Sequence, residues 1–400
     1  MQTGVGVSSL AVPGDAAREA ARGAKLECAT PKLVLAFMSH AHPIDGLADV
    51  RDELRAVFPG AVVAGATVNG VVYDGARHDA YYGARVVGVL ALDGIELGVA
   101  QIACPSDPVE GGRELALAAR RRLGRPSPGG ILFSPGLSAE PSIDPALLDG
   151  IREILPGIRL SGTGCCGGLD LTGVPLSGAT FLDDQLESRG ALLVLLGGDI
   201  RVGAAGANGL HSTGHTATVT KAVGPMVQEL DGRPARNVVL ELLAPGEPET
   251  QAQLTRAPTV LCVERSVSLA EERAGFFWLH MPAAFLPDGS MVDPFHPRIG
   301  MKLTTVDLNR QSCLDAIGEA AALLVEELAA HELELVLSFS CALRGFTLGG
   351  ESSNEDGLLA SRLRARRRLG IIANGEIACH RQEGPFATGW LYSLFGVAQA

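Results

Sequence analysis

Two hydrophobic runs near the C-terminus, Val336-Leu-Ser-Phe-Ser-Cys-Ala-Leu-Arg344-Gly and Gly370-Ile-Ile-Ala-Asn-Gly-Glu376-Ile, end in polar and charged groups that an apolar core does not choose. The first alternates well enough to be a strand, which places Ser340, Cys341 and Arg344 at or just past its end, where ligand sites open. The second sets Asn374-Gly375 and a carboxylate straight after a β-like run. A buried charge needs a partner. Arg344 and Glu376 therefore face either one another, as a structural ion pair between strands, or the two ends of a zwitterionic ligand.

At 400 residues the length fits two or three domains, and a hydrophobic content of 46% supplies a sizeable core. The formal net charge of −12 argues against a nucleic-acid binder, whose affinity rests on neutralising phosphates. The strongly basic stretch Ser361-Arg-Leu-Arg-Ala-Arg-Arg-Arg-Leu-Gly370 reads as the end of a helix over Glu355–Leu369, with cations complementing the helix dipole and Gly370 as its cap. The eight cysteines are scattered without a Cys-x-x-Cys pair, as expected of reduced thiols in a cytoplasm. No basic region followed by an apolar stretch opens the chain, and no run is long enough to span a bilayer, so a soluble protein without a membrane partner is expected.

Residues 14–28 are Ala-rich with spaced charges, an opening helix, and Pro31–Met38 reads as a strand. Helices over Gly46–Phe58, Pro108–Leu123 and Pro145–Leu155 then alternate with short strand-like runs, which argues for mixed sheets rather than a strict parallel winding. The expected fold is α/β, two lobes, each a mixed sheet covered by helices and packed together. The turn-rich segment Glu229-Leu-Asp-Gly-Arg-Pro234 marks the boundary, giving an extension over 1–30 and domains over 31–233 and 234–395. Gly65-Ala-Thr-Val-Asn69-Gly70 and Gly370-Ile-Ile-Ala-Asn374-Gly375 share their spacing, consistent either with related half-units or with common turn residues.

Gly162-Thr-Gly164-Cys-Cys-Gly167 satisfies G-x-G-x-x-G after a short strand, but no helix follows to hold a pyrophosphate, so a close-packed glycine turn is expected. His40 and His42 share one face of an extended chain, a metal-hydrolase spacing that lacks further ligands in series. His211 and His215 have the interval of a zinc helix without its acidic residue or its helix propensity. Cys341 and Cys379-His380 lack a nucleophile signature, and buried cysteines are mostly inert packing.

Several ordered segments resemble the FIST family of sensory proteins, with an N-terminal and a C-terminal module. They are Val63–Gly70 with Asp74-Gly, Ser161–Gly164 with Gly167-Gly, Thr218-Val-Thr-Lys221 with Leu230-Asp-Gly, and the pair Phe339–Arg344 and Gly370…Glu376-Ile. The resemblance implies a non-catalytic, ligand-sensing module of bacterial signal transduction that binds small molecules such as amino acids. It also implies signalling through a separate partner such as a histidine kinase. On this reading the ligand site comprises Arg344, Glu376, Ser340, Cys341, Asn374, Gly375, Asn69 and Gly164, with no catalytic residue and no metal. Some family members bind haem and respond to nitric oxide. That is the alternative, with His280 beside Phe276-Phe-Trp278, or His296, as axial ligand. A thiol or metal hydrolase is a third class.

Overall fold

The computed structural model describes residues 1–136, 144–169, 175–295, 297–329, 332–349 and 354–400. Three consecutive units repeat one pattern of elements. The first runs β1 (Gln2–Ser8), α1 (Pro13–Lys25), β2 (Leu33–Ser39), α2 (Gly46–Val57), β3 (Val62–Val68), the hairpin β4 (Gly70–Tyr73) and β5 (Ala76–Asp79), and β6 (Val87–Asp93). The second runs β7 (Glu96–Ile102), α3 (Pro108–Leu123), β8 (Gly129–Ser134), α4 (Asp144–Ile154) and β9 (Arg159–Gly164). It continues with the short pair β10 (Cys166–Leu169) and β11 (Pro175–Ser177), the hairpin β12 (Ala179–Leu182) and β13 (Gln185–Ser188), and β14 (Ala191–Gly197).

The third unit opens with β15 (Ile200–Ala207) and is then interrupted by a lobe. The lobe holds β16 (His211–Val223), β17 (Met226–Leu230), β18 (Arg233–Pro234), α5 (Ala235–Leu243), α6 (Pro248–Arg256), α7 (Pro258–Glu264), β19 (Val267–Arg273), β20 (Phe276–His280), β21 (Ala284–Phe285), β22 (Met291–Val292) and β23 (Lys302–Asp307). The unit resumes with α8 (Arg310–Glu327), β24 (Leu333–Cys341), α9 (Ala342–Leu348), α10 (Glu355–Arg362), β25 (Ala365–Ala373), the hairpin β26 (Glu376–His380) and β27 (Gly384–Thr388), and β28 (Tyr392–Gln399).

The strand orders are β1-β6-β2-β3, β7-β14-β8-β9 and β15-β28-β24-β25, and in each only the last pair is parallel. Every unit lends its hairpin to another unit's sheet: β4–β5 to β25, β12–β13 to β3, and β26–β27 to β9. Side-chain alternation sorts the residues between two layers. Leu33, Leu35 and Phe37 of β2, Ile131 and Phe133 of β8, and Leu335, Leu337 and Phe339 of β24 all enter one core shared by the three sheets. Their neighbours Val34, Ala36 and Met38, Leu132, and Val336 lie instead in three separate outer clusters with the helices.

The α/β class and the helix-covered mixed sheets are as the sequence suggested. The lobe adds a second core of its own around a sheet ordered β20-β19-β23-β16-β17-β22-β21, antiparallel throughout its described pairs. Position 233/234, where a domain limit was expected, lies within β18, paired to β17 inside that sheet. The basic stretch is a correction: α10 stops at Arg362, and residues 365–369 are strand. Parallel pairing with β24 overrides the helix propensity of the arginines, whose heads find Glu334, Glu27 and Asp356. Among the described residues no helix is long and apolar enough to cross a membrane.

Candidate functional site

The parallel pairs end together. Phe37, Phe133 and Phe339 stand opposite Ala66, Thr163 and Ile371, and three residues past each partner come Asn69, Cys166 and Asn374, each followed by glycine. A glycine also precedes each of these polar residues by four positions: Gly65, Gly162 and Gly370. The echo between the first and third units is thus a threefold one, with Cys166 in the middle place. Ligands of α/β sheets collect at the carboxyl ends of parallel strands, and this is where the polar residues gather.

The three units are laced together there. Cys166 Sγ donates to Asn69 Oδ1 at 2.9 Å, and Asn69 Nδ2 donates to the Ala373 carbonyl at 3.2 Å. The Gly164 N–H donates to the Gly375 carbonyl at 2.8 Å, and the Asn374 N–H to Thr163 Oγ1 at 3.3 Å. A side chain at 164 would put its Cβ 2.5 Å from the Asn374 carbonyl oxygen, so glycine is required by close backbone approach. The glycines at 162–168 lie at the end of β9 and in β10, with only Cys165 between the two strands, and among the described residues no helix start follows for a phosphate.

Arg344, on α9 directly after β24, is fully buried. Its Nε and Nη2 donate to Glu355 Oε1 at 3.2 and 3.0 Å, and Nη2 also to the Cys313 carbonyl at 2.6 Å. Ser340 Oγ donates to Glu355 Oε2 at 2.9 Å, and Arg77 Nη1 reaches the same oxygen at 3.1 Å while its Nη2 holds Asp79 at 2.9 Å. Two cations and two carboxylates close a buried network. Glu376 is outside it. Its Oε2 accepts from the Leu391 N–H at 3.1 Å, while Oε1 has no partner. Burial pushes the Glu376 carboxyl up to about 8, against the pull of the Leu391 amide, the adjacent Cys341 and the Arg344 charge, so it is largely protonated at neutral pH. Burial, then the nearby Glu376, lifts the Cys341 thiol well above its ordinary value, which keeps it a thiol rather than a nucleophilic thiolate.

Arg344 Nη1, Asn374 Nδ2, Glu376 Oε1, His40 Nε2 and Ser134 Oγ are all buried without a hydrogen-bond partner. Buried polar atoms are rarely left so, and a group of them at strand ends marks a place built to receive something polar. His40 packs edge-on to Tyr81, ring centroids 5.4 Å apart, and burial lowers its affinity for a proton. Among the described residues no three His, Cys, Asp or Glu side chains cluster to hold a metal.

Residues 32–233 match the FIST N domain family, just over half of the chain. The protein belongs to that family. FIST domains are small-ligand sensory domains of signal transduction. The match ends inside the inserted lobe and covers only the first strand, β15, of the third unit. Among solved structures, a cyanuric acid hydrolase from A. caulinodans aligns over 100% of this chain and 99% of its own at 10% identity, with a TM-score of 0.39. PurLQS from Thermotoga maritima aligns over 100% of this chain and 72% of its own at 10% identity, with a TM-score of 0.25. At these scores neither likeness fixes fold or chemistry. No curated protein matches the chain.

In this FIST protein the structure gathers Ser340, Cys341, Arg344, Glu376, Asn374, Gly375, Asn69 and Gly164 at one end of the three-sheet body, but it gives Arg344 to Glu355 rather than to Glu376. Sequence reading missed Glu355, Arg77, Asp79 and Cys166. A third instance of the Gly-x-x-x-polar-Gly spacing would have found Cys166; nothing local singles out the other three. The haem candidates lie elsewhere: His280 Nδ1 is held by Asp293 at 2.6 Å beside a separate cleft, and His296 is outside the described residues.

Proposed function

We propose that the polar ends of the three parallel pairs form the ligand site of a non-catalytic, cytoplasmic small-molecule sensor that signals through a separate partner such as a histidine kinase. The ligand class is an amino acid or a close analogue. The carrying observation is the unpartnered set itself: Arg344 Nη1 and Asn374 Nδ2 are donors suited to a carboxylate, and Glu376 Oε1 is the group left to meet an ammonium. Because Glu376 holds its proton near neutrality, meeting an ammonium ion would make it ionise, and binding would release a proton. The bound molecule would touch side chains from all three units, which gives it the differential contact that any signal requires.

The test is a thermal-shift screen of the common amino acids, followed by calorimetry of any hit in two buffers of different ionisation enthalpy. A proton released on binding, and an affinity reduced about tenfold or more in Asn374→Leu without loss of stability, support the reading. Failure of every amino acid to raise the melting temperature, or an Asn374→Leu protein that binds as tightly as the parent, removes it.

A further inference from the structure

A partly open cleft lies away from the strand-end cluster, where the inserted lobe meets the body. It holds about 330 Å³ between α4, strands β19 and β20, the segment carrying Phe295 and Arg298, and β27. That volume falls at the lower end of the range for small-molecule sites. Its chemistry is divided. Trp278 and Phe386 meet edge to face at 4.2 Å and form an apolar wall with Phe295. Around that wall stand three arginines and two carboxylates, Asp149 and Glu271. Asp149 is taken up by Arg152. Arg273 and Arg298 share Glu271, each at 4.0 Å, and Arg273 reaches Glu383 only at 3.5 Å. The Arg273 guanidinium lies 4.2 Å from the centre of the Trp278 ring, and its Nε is buried without a hydrogen-bond partner. The three guanidinium groups are matched by three carboxylates, Asp149, Glu271 and Glu383, but Arg273 and Arg298 are held only loosely.

His280 supplies direction. Its Nδ1 is bound to Asp293 at 2.6 Å, and the other Asp293 oxygen accepts the Phe295 N–H at 2.9 Å. The carboxylate fixes the tautomer with the proton on Nδ1, so Nε2 is the ring nitrogen left to accept from a ligand. An aromatic wall, two loosely held guanidinium groups and one fixed acceptor define a complementary molecule.

We propose that this cleft is a second ligand site, for a small aryl carboxylate carrying a hydroxyl or amino group: carboxylate toward Arg273 and Arg298, ring against Trp278 and Phe386, donor toward His280 Nε2. Such a molecule would touch lobe and body at once. The site is independent of the strand-end reading and survives its failure.

The probe is 4-hydroxybenzoate, with benzoate as the molecule that lacks the donor. The chain has two tryptophans, Trp278 in the cleft and Trp390 fully buried in the lobe core, so intrinsic fluorescence reports the site. Titration should give a saturable change that persists in Trp390→Phe and vanishes in Trp278→Phe. Binding should weaken about tenfold in Arg298→Gln, and benzoate should bind about fivefold more weakly than 4-hydroxybenzoate. Arg298 is 68% exposed, so that variant tests the contact without threatening the fold. No saturable binding to the parent protein, a signal that survives in Trp278→Phe, or affinities unchanged in both Arg273→Gln and Arg298→Gln would each overturn the proposal.

Discussion

The three-sheet body and the inserted lobe solve the problem of making a core in different ways. The body repeats one strand order three times, and its shared core is built from leucine, isoleucine, valine and phenylalanine on alternate strand positions. The lobe has no such repeat, and four of the six methionines of the chain, Met226, Met281, Met291 and Met301, fall within it. Three of them are in its core. Branched and aromatic side chains have few rotamers and fix one arrangement, whereas methionine adapts to irregular space. The body is therefore suited to holding polar groups in register, and the lobe to adjusting against it.

The largest test of that contrast is Phe133→Ala, which removes a ring from the centre of the shared core, 5.9 Å from Phe37 between centroids. It should cost about 3–5 kcal/mol in urea denaturation. Arg344→Met breaks a fully buried pair but leaves Glu355 its contact with Arg77, so a loss of about 3 kcal/mol is expected, read by the same method. A weaker effect, visible as a slope rather than an offset, should come from Glu376. The folded chain keeps its proton up to about pH 8, while an ordinary glutamate releases it near 4.5. Stability from this group is then full below the lower value and is lost as pH rises through the higher one. Melting temperatures of Glu376→Gln should match the parent below about pH 4.5 and exceed it by a margin that widens up to about pH 8 and is constant above; parallel curves would show that the carboxyl is ionised after all. Smallest should be Met291→Leu in the lobe core, below about 1.5 kcal/mol by urea denaturation. A loss there as large as that of Phe133→Ala would erase the distinction between the two regions.

Much of the body was legible because its signals are local. The apolar run Leu33–Ser39 and the partly alternating Leu333–Cys341 mark strands, and the Asn-Gly turns mark their ends. What escaped was set by distance along the chain. Arg344 was expected to face Glu376, directly or across a ligand, because both follow β-like runs, yet the carboxylate that reaches it, Glu355, comes from α10, and the second cation, Arg77, comes from a hairpin of the first unit. No periodicity announces such a meeting. The arginine stretch 364–368 was misread for the same reason: its propensity is helical, but its conformation is decided by the strand beside it. The lobe was the least legible region, since its short strands pair across long intervals and its helices are brief.

The exchanged hairpins bear on the order in which the chain can be completed. β4 and β5 leave the ribosome early, but the strand they pair with, β25, is made about three hundred residues later, and the Asn69 side chain meets the Ala373 carbonyl across 304 positions. Until then the hairpin has only its own two strands, which are marginal in water. Closing so long a loop forfeits chain entropy before any contact repays it, so topology of this kind folds slowly. The strand-end cluster is assembled only at that last closure. A nascent chain, however well formed its first two units, has no such cluster until its third is in place.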